Sequence, residues 1–177
     1  MRATAPVLFA VLAAACGAGR YGYARYYEPL DDEAPFAGAP EPTYLDVQRD
    51  PAGFSGRLIG WFGVVREAIP QDDGTVLVRM SQRVHQHRHL CSGRSDGTCR
   101  VTVSERPGGS FAVRVRLRPG PDSEGVNRLQ WESLLKIYGR VTGEYDADGG
   151  PILEVEYYRH WPRGQWVDTT AQVTMRR

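Results

Sequence analysis

The sequence predicts a mostly β domain, a small closed barrel of five strands with a short helical link and an extended β-hairpin arm. The first observation behind this prediction is a strand over residues 54–69 that is apolar on both faces. One face carries Leu58, Phe62 and Val64, and the other carries Ile59, Trp61 and Val65. Gly60 and Gly63 interrupt the strand where it can bend or bulge. A bent strand buried on both faces fits a closed barrel, in which it belongs to two sheets.

The second observation is the alternation of apolar and polar residues in the later segments, which are separated by turn signals at residues 72–74 and 146–150. Within residues 75–90 the predicted inward side chains are Val76, Val78 and Met80. Within residues 110–118 they are Phe111, Val113, Val115 and Leu117. The last hairpin, 134–145 and 151–161, presents Leu135, Ile137, Gly139, Val141, Leu153, Val155 and Tyr157 inward.

The third observation is the order of the elements. A bent strand is followed by a hairpin, a further strand, a non-strand link at residues 119–132 and a final hairpin. In the link, Asp122 or Ser123 could cap a short helix with Val126 and Leu129 on one face. This order is the one required by a five-stranded oligonucleotide/oligosaccharide-binding (OB) barrel.

The arm is predicted because the strand over residues 75–90 outlasts its apolar face, so its far half should project beyond the barrel. A loop follows, and a return strand begins at residue 100. Cys91 and Cys99 flank the loop near where cross-strand neighbours would lie, which predicts a disulfide and an oxidising compartment.

The N-terminal region has the features of an export signal. Residues 1–15 combine Met1-Arg2 with a short uncharged apolar run, which is typical of a signal peptide. Small residues precede Cys16 as in a bacterial lipobox, and assigning Cys16 to a lipid (palmitate included) leaves Cys91 and Cys99 as an even pair. The alternative is an ordinary Ala-x-Ala cleavage site with Cys16 incidental.

Four segments are therefore expected along the chain: a signal peptide at residues 1–15, a lipidated tether at 16–43, the barrel domain at 44–166 and a C-terminal tail at 167–177. The tether is rich in tyrosine and proline, a composition that favours an extended, solvated segment. A short helical turn is expected at residues 44–50, where Pro51 would stop it.

Two motifs carry a resemblance to a known group of proteins. Asp-Pro-x-x-Phe-x-Gly-Arg-x-Ile-x-Trp-x-Gly-Val-Val over residues 50–65 resembles the opening of OB-type domains in exported bacterial proteins. Tyr-Gly-Arg-Val-Thr-Gly-Glu over residues 138–144, with Tyr157-Tyr158 before Trp161-Pro162, is similar to their later strands. Slp-type outer-membrane lipoproteins share these features. The resemblance spans residues 44–166 and implies the fold. Gly17, rather than an acidic residue, follows Cys16, and under the bacterial sorting rule for lipoproteins this implies the outer membrane, with the barrel on the periplasmic side.

Composition argues against nucleic acid as a partner. The formal net charge is +1, and removing residues 1–15 leaves 21 basic against 21 acidic side chains. A lipid-anchored exported protein also seldom meets nucleic acid. The membrane, through the N-terminal lipid, and an envelope protein, glycan or anionic lipid are the expected partners.

Outward-facing arginines are the main candidates for ligand binding. They form a row on the barrel exterior where Tyr138 and Tyr158 could supply stacking. The row consists of Arg79, Arg83, Arg114, Arg116 and Arg118. This pattern predicts a groove for an anionic ligand, although arginine on exposed strands also keeps sheets soluble.

Three histidines at alternate positions, His85, His87 and His89, are the candidate metal ligands. On a regular strand their side chains share one face, and adjacent pairs lie about 7 Å apart at Cα, close enough for zinc or copper. His85 and His89 would be about 13–14 Å apart at Cα, so one ion could engage all three only if the strand bulges.

Catalytic patterns are not evident in the sequence. Ser55, Ser110 and Ser133 lack a surrounding His/acid pattern, and the position of His160 gives no sign that it converges with other groups. The expected function is therefore a non-catalytic envelope lipoprotein that binds a partner or an anionic ligand. The alternative is a metal-binding protein or metal-dependent enzyme that uses the three histidines.

Overall fold

The structure is a computed structural model that describes residues 26–177. The predicted signal peptide and Cys16 lie outside the described residues. The strands are β1 (Leu58–Pro70), β2 (Val76–Arg83), β3 (His85–Cys91), β4 (Cys99–Val103), β5 (Ser110–Val115), β6 (Leu134–Tyr145), β7 (Pro151–Trp161) and β8 (Trp166–Asp168). Two short helices precede the first strand, α1 (Tyr44–Arg49) and α2 (Pro51–Phe54), and 3-10 turns occupy Asp96–Thr98 and Thr169–Val173.

Five of the strands close into a barrel in the order β1-β2-β5-β7-β6, which confirms the predicted fold class. β1 pairs along one edge with β2 and along the other with β6, so it belongs to both halves of the barrel. The pairing of β5 with β7 is parallel, and the other barrel pairings are antiparallel. This arrangement is consistent with an OB-like barrel.

The barrel interior is filled by the alternate residues of its strands. Ile59, Trp61 and Val65 of β1 point inward, whereas Phe62 and Val64 point out to a second core. A Cβ at Gly63 would lie 2.7 Å from Cε of Met80 and 2.8 Å from Cζ of Phe111, so a larger residue there would force these core side chains to shift. The inward residues of β2, β5 and β6 are those that alternation predicts.

A bulge in β7 overturns one prediction of facing. Tyr138 pairs with Tyr157 and Gly139 with Val155, so one extra residue of β7 lies between them. An extra residue reverses the alternation that follows it. Tyr157, predicted to point inward, is therefore outside, and Tyr158 lies in the barrel core.

The arm forms the predicted hairpin but folds back onto the barrel instead of projecting from it. β3 and β4 form a separate sheet with β8, which pairs in parallel with β4. This sheet covers a second core of Phe62, Val64, Val101, Val103, Leu134 and Trp161. Because β1 is apolar on both faces, its outer face needs this cover.

The helical segments differ in part from the prediction. α1 forms where expected, with Thr43 as its N-cap, but the chain continues into α2, in which Pro51 takes the first position. The link between β5 and β6 forms turns and no helix, and Val126 is exposed. Leu129 still packs into the barrel core, and its backbone N–H donates to the Asp122 carbonyl at 2.8 Å.

Residues 27–42 form a segment, here called the strap, that lies on the outer face of β6 and β7. This corrects the expectation of an extended, solvated tether over this part of the chain. Turns between residues 30 and 39 fold the strap. Its carbonyls at Pro40 and Pro42 accept hydrogen bonds from Gly60 N (2.9 Å) and Trp61 Nε1 (2.8 Å). Across residues 26–177, no helix has the length and apolar character needed to span a membrane.

Candidate functional site

The strap is held by a carboxylate that is completely buried. Glu33 accepts hydrogen bonds from the hydroxyls of Tyr27 and Tyr138 (2.9 Å for Tyr138) and an ionic one from Arg159 (3.3 Å). Burial, with the hydrogen bond to Glu33, raises the pKa of both tyrosines far above the usual value. Both hydroxyls therefore stay protonated as donors, and the site is a satisfied polar cluster.

The predicted stacking residue Tyr138 is thus not available to a ligand. It lies on the outer face of β6 as expected, but the strap leaves it 3% exposed. Phe36 of the strap stacks on Tyr157 with ring centroids 5.3 Å apart. Lys136, also buried, pairs with Glu41 of the strap, and burial lowers its pKa. The strap therefore fills the outer face of β6 and β7.

Most of the predicted arginine row is already paired with carboxylates. Arg79 binds Glu67 and Asp146 at 2.8 and 2.9 Å, and Arg114 binds Glu144 at 2.8 Å. Arg83 instead donates to the carbonyls of Ser104 and Glu105 at the base of the arm. An anionic ligand would have to displace these partners, and this lowers the binding free energy that the arginines of the row could contribute.

The remaining members of the row border a groove of about 410 Å³ between β5 and β7. Arg118 binds Asp122 at 2.9 Å and lies over the ring of Tyr158. Arg116 is exposed, and it donates a long hydrogen bond to the Asp73 carbonyl at 3.5 Å. Tyr158, predicted to stack on a ligand, is 5% exposed, so its ring contributes to the core.

The three histidines do not share one regular strand face, because the pairing of β3 with β4 shifts between Gln86 and Leu90. His87 is exposed, His89 is buried and His85 stacks on Phe62 with ring centroids 4.5 Å apart. The shift brings the rings of His85 and His89 to 6.1 Å, edge to face. Among residues 26–177, no group of three or more His, Cys, Asp or Glu side chains is arranged to hold a metal ion.

His85 occupies an environment that opposes protonation. Its Nε2 atom is buried and has no hydrogen-bond partner within the described part of the chain. Burial first, then the nearby Lys136 ammonium, lowers its pKa to about 3. A neutral imidazole that stacks on Phe62 and meets the Tyr27 ring edge to face behaves as an aromatic core residue.

A serine, a histidine and an aspartate form a hydrogen-bonded chain that sequence reasoning missed. His160 Nδ1 lies 2.8 Å from Asp122 Oδ1, and its Nε2 lies 3.1 Å from Ser133 Oγ. The hydrogen bonds run from aspartate to histidine to serine, as they do in a serine-hydrolase triad. The pairing of β6 with β7 places His160 beside Ser133, which directly precedes β6, and Asp122 comes from the link before β6. No local motif could therefore have indicated the three together.

This chain of groups is built into the interior of the fold. Ser133 is completely buried, and its Oγ accepts a hydrogen bond from Gln130 N. Its backbone N–H donates to the Gln130 carbonyl, so it cannot serve as an oxyanion donor. The preceding residue, Glu132, has φ of 64°, the one positive value at a non-glycine residue among residues 26–177. Trp166 Nε1 and Arg163 hold it in place.

A cleft of about 490 Å³ opens between the start of the strap, the arm and the end of β7. Its walls include Tyr26, Tyr27, His89, Arg100, Arg159 and Trp161. The Arg159 guanidinium lies 4.8 Å from the Trp161 ring centroid and is neutralised by Glu33. The Arg100 guanidinium donates to the carbonyls of Gly97 and Cys99 at 3.0 and 3.1 Å.

Charge is strongly segregated between the two parts of the molecule. Residues 83–106 and 163–177, here called the arm region, hold eight arginines and three carboxylates. The other described residues hold 11 basic side chains and 18 carboxylates. The near-neutral total concealed this division, which a count over the arm segments would have revealed.

The arm arginines also differ from those of the barrel in their partners. Of the eight arginines in the arm region, Arg163 alone forms an ion pair with a carboxylate within residues 26–177. Six of the eight are exposed: Arg88, Arg94, Arg106, Arg163, Arg176 and Arg177. The arm is thus a surface of largely uncompensated positive charge.

The arm is covalently closed at its tip, as predicted. The sulfur atoms of Cys91 and Cys99 are 2.07 Å apart, the distance of a disulfide bond. The backbone of Cys91 also pairs with Arg176 near the C-terminus. The disulfide and the C-terminal segment together fix the arginine-bearing loop.

The chain was also compared with known proteins. It matches no family model and no functionally characterised sequence.

Proposed function

We propose that this protein is a non-catalytic module of the bacterial envelope that binds an anionic ligand or envelope partner through the arm region. A lipid on Cys16 would anchor it to the outer membrane with the barrel facing the periplasm. The proposal rests on the export signal, the lipobox-like sequence and the fold-level resemblance to exported OB lipoproteins. The closed disulfide in the arm agrees with an oxidising compartment.

One observation carries the choice of the arm, namely the contrast in how arginines are paired. Barrel arginines such as Arg79, Arg114 and Arg140 are bound to carboxylates of their own chain. Arginines of the arm such as Arg88, Arg94 and Arg106 are exposed and lack such partners within the described residues. A guanidinium without a carboxylate partner can bind an anion without first breaking an ion pair.

Chromatography on heparin, used as a generic polyanion, tests the proposal. Arg88→Gln/Arg94→Gln/Arg106→Gln should elute at much lower salt than the parent protein. The matched variant Arg114→Gln/Arg116→Gln/Arg118→Gln removes the same charge from the barrel row and should elute close to the parent. Failure of the parent to bind, or equal losses in both variants, would remove the arm from the proposal.

The anchor is tested by mass spectrometry of the protein recovered from membranes. The expected mature chain begins at Cys16 and carries the mass of diacylglycerol and a further acyl chain. A mature chain that starts at an unmodified residue would refute the lipid anchor. It would leave the polyanion experiment unaffected.

Metal binding by His85, His87 and His89 is the competing function, and the approach of the rings is the observation in its favour. The packing of His85 against Phe62 and Tyr27 weighs against metal binding, since a ligand imidazole must direct a nitrogen at the ion. Elemental analysis of protein purified without a histidine tag distinguishes metal binding by the histidines from anion binding by the arm region. Stoichiometric zinc or copper that is lost in His87→Ala would favour the metal function.

A further inference from the structure

We propose that the arm region docks on the anionic phospholipid surface of the membrane that holds the anchor. The partner is a lipid headgroup layer rather than a soluble polyanion. This inference rests on the proposed function and names the anionic partner. The arm region has an excess of five positive charges, whereas the rest of the described chain has an excess of seven negative ones. An anionic bilayer therefore attracts one part of the molecule and repels the other.

The path of the chain directs the arm toward the anchor. Tyr26, the first described residue, forms an antiparallel bridge with Arg88 of β3, so the N-terminal segment meets the folded body at the arm. Ten residue steps separate Tyr26 from Cys16, which limits their separation to about 35 Å. A lipid on Cys16 would keep the arm within this distance of the bilayer.

The strap shortens the free segment between Cys16 and the folded domain, compared with the tether predicted from the sequence. Had residues 17–43 been extended, the domain could have stood far from the membrane. Because residues 27–42 are bound to β6 and β7, they add no reach. The segment before Tyr26 instead adds Arg20 and Arg25 and no carboxylate.

The surface chemistry at this junction suits a headgroup layer. Tyr26 is 55% exposed, and the Arg88 guanidinium lies 5.5 Å from its ring centroid. Tyrosine and arginine together suit the membrane interface, where an aromatic ring sits at headgroup level and a guanidinium binds phosphate. Arg94 extends the exposed charge onto the loop closed by the disulfide, and Arg176 is joined to Cys91 at its base.

Vesicle co-sedimentation of the chain from Gly17 to Arg177, which retains every described residue and carries no lipid, tests the inference. The probes are phosphatidylcholine vesicles and vesicles that also contain phosphatidylglycerol. We expect binding to the second kind alone at low salt, with loss at high salt because the charges are exposed. Arg88→Gln/Arg94→Gln/Arg106→Gln should weaken binding by about five-fold per arginine.

The control variant is Arg49→Gln/Arg66→Gln/Arg128→Gln, which removes three exposed charges from outside the arm region. It should bind like the parent, and thermal unfolding should show that both variants remain folded. Absence of phosphatidylglycerol-dependent binding, or equal losses in the two variants, would overturn the inference. Heparin binding without vesicle binding would overturn it while leaving the polyanion function in place. Loss of both would overturn both.

Discussion

At the scale of single residues, His85 should make the stability of the protein depend on pH. Its folded pKa of about 3 lies below the unfolded value near 6.5, so the unfolded chain binds more protons between these limits. The contribution of the neutral His85 imidazole to the free energy of unfolding is therefore present above pH 6.5 and is lost as pH decreases toward 3. From pH 7 to pH 5 the loss should be on the order of 1–2 kcal/mol, allowing for partial solvent access.

Urea unfolding of the parent and of His85→Phe at the two pH values measures this loss. Phenylalanine keeps the stacking on Phe62 and removes the titration, so the variant should lose less stability on acidification. His87→Gln, which alters an exposed imidazole, should behave like the parent. An equal pH dependence in parent and His85→Phe would contradict the assignment.

Asp122 is a second residue whose charge stabilises the fold. Burial raises its pKa, but hydrogen bonds from His160, Tyr158 and Arg118 outweigh this and hold the pKa below its usual value. Asp122→Asn should destabilise the protein by about 2 kcal/mol at pH 7. The difference should shrink below about pH 4, because the stabilisation is lost as the carboxylate protonates.

Chemical unfolding at pH 7 and pH 3 checks this prediction, with Ser123→Ala as an exposed neighbouring control.

The same network makes Ser133 a structural group. Covalent labelling of Ser133 by an alkyl fluorophosphonate would contradict that view, because it requires an accessible and activated hydroxyl.

At the scale of elements, the strap should depend on one carboxylate. Glu33→Ala leaves the hydroxyls of Tyr27 and Tyr138 and the Arg159 guanidinium without their common acceptor. Removing one partner from a buried ionic cluster typically costs about 3–5 kcal/mol. We expect faster proteolytic cleavage within residues 27–42 and a lower midpoint of unfolding. Asp31→Ala, two residues away and exposed, should change neither.

The disulfide should stabilise the arm to a predictable extent. Its partners are eight positions apart, and closing so short a loop contributes about 2–3 kcal/mol. Cys91→Ala/Cys99→Ala should therefore accelerate amide hydrogen exchange in β3 and β4 more than in β1 and β6. Thiol titration before and after reduction of the parent should reveal two further thiols. Unchanged exchange in the arm would show that packing alone holds it.

The elements also show where the sequence suffices and where it does not. Alternation gives the inward residues of β1, β2, β5 and β6 because these residues lie where their own strands are regular. The shift in β1 comes after Val65, and the one near the end of β6 comes after Val141. It fails at Tyr157 and Tyr158, because the bulge in β7 depends on pairing with β6. The histidine row fails for the same reason, since the shift between Gln86 and Leu90 depends on β4.

At the strap and at Tyr138, the structure differs from the sequence prediction because segments distant in the chain bury each other. The composition of residues 28–43 favours solvation, but Glu33 finds three side-chain donors that only the folded barrel brings together. Tyr138 has the predicted facing and is nevertheless covered. Such outcomes depend on tertiary contacts, whereas the disulfide between Cys91 and Cys99 could be inferred because both cysteines flank one loop.

At the scale of the whole molecule, the two cores share strands, and this sets how the parts unfold. β1 contributes Trp61 to the barrel core and Phe62 to the core beneath the arm. The arm sheet is completed by β8, which comes from the other end of the domain and pairs with β4. The C-terminal segment therefore stabilises the arm, although the barrel closes without it.

Removal of residues 166–177 should separate these contributions. The truncated protein loses the pairing of β8 with β4, the two backbone hydrogen bonds between Cys91 and Arg176, and the Trp166 side chain at the second core. Amides of β3 and β4 should then exchange much faster, whereas those of β1 and β6 should stay protected because their hydrogen bonds lie within the closed barrel. Hydrogen exchange followed by mass spectrometry measures both, and Val173→Ser, a change at a side chain that is 91% exposed, is the control. Equal loss of protection in the arm and the barrel would mean that the molecule unfolds as one unit and that the C-terminal segment stabilises all of it.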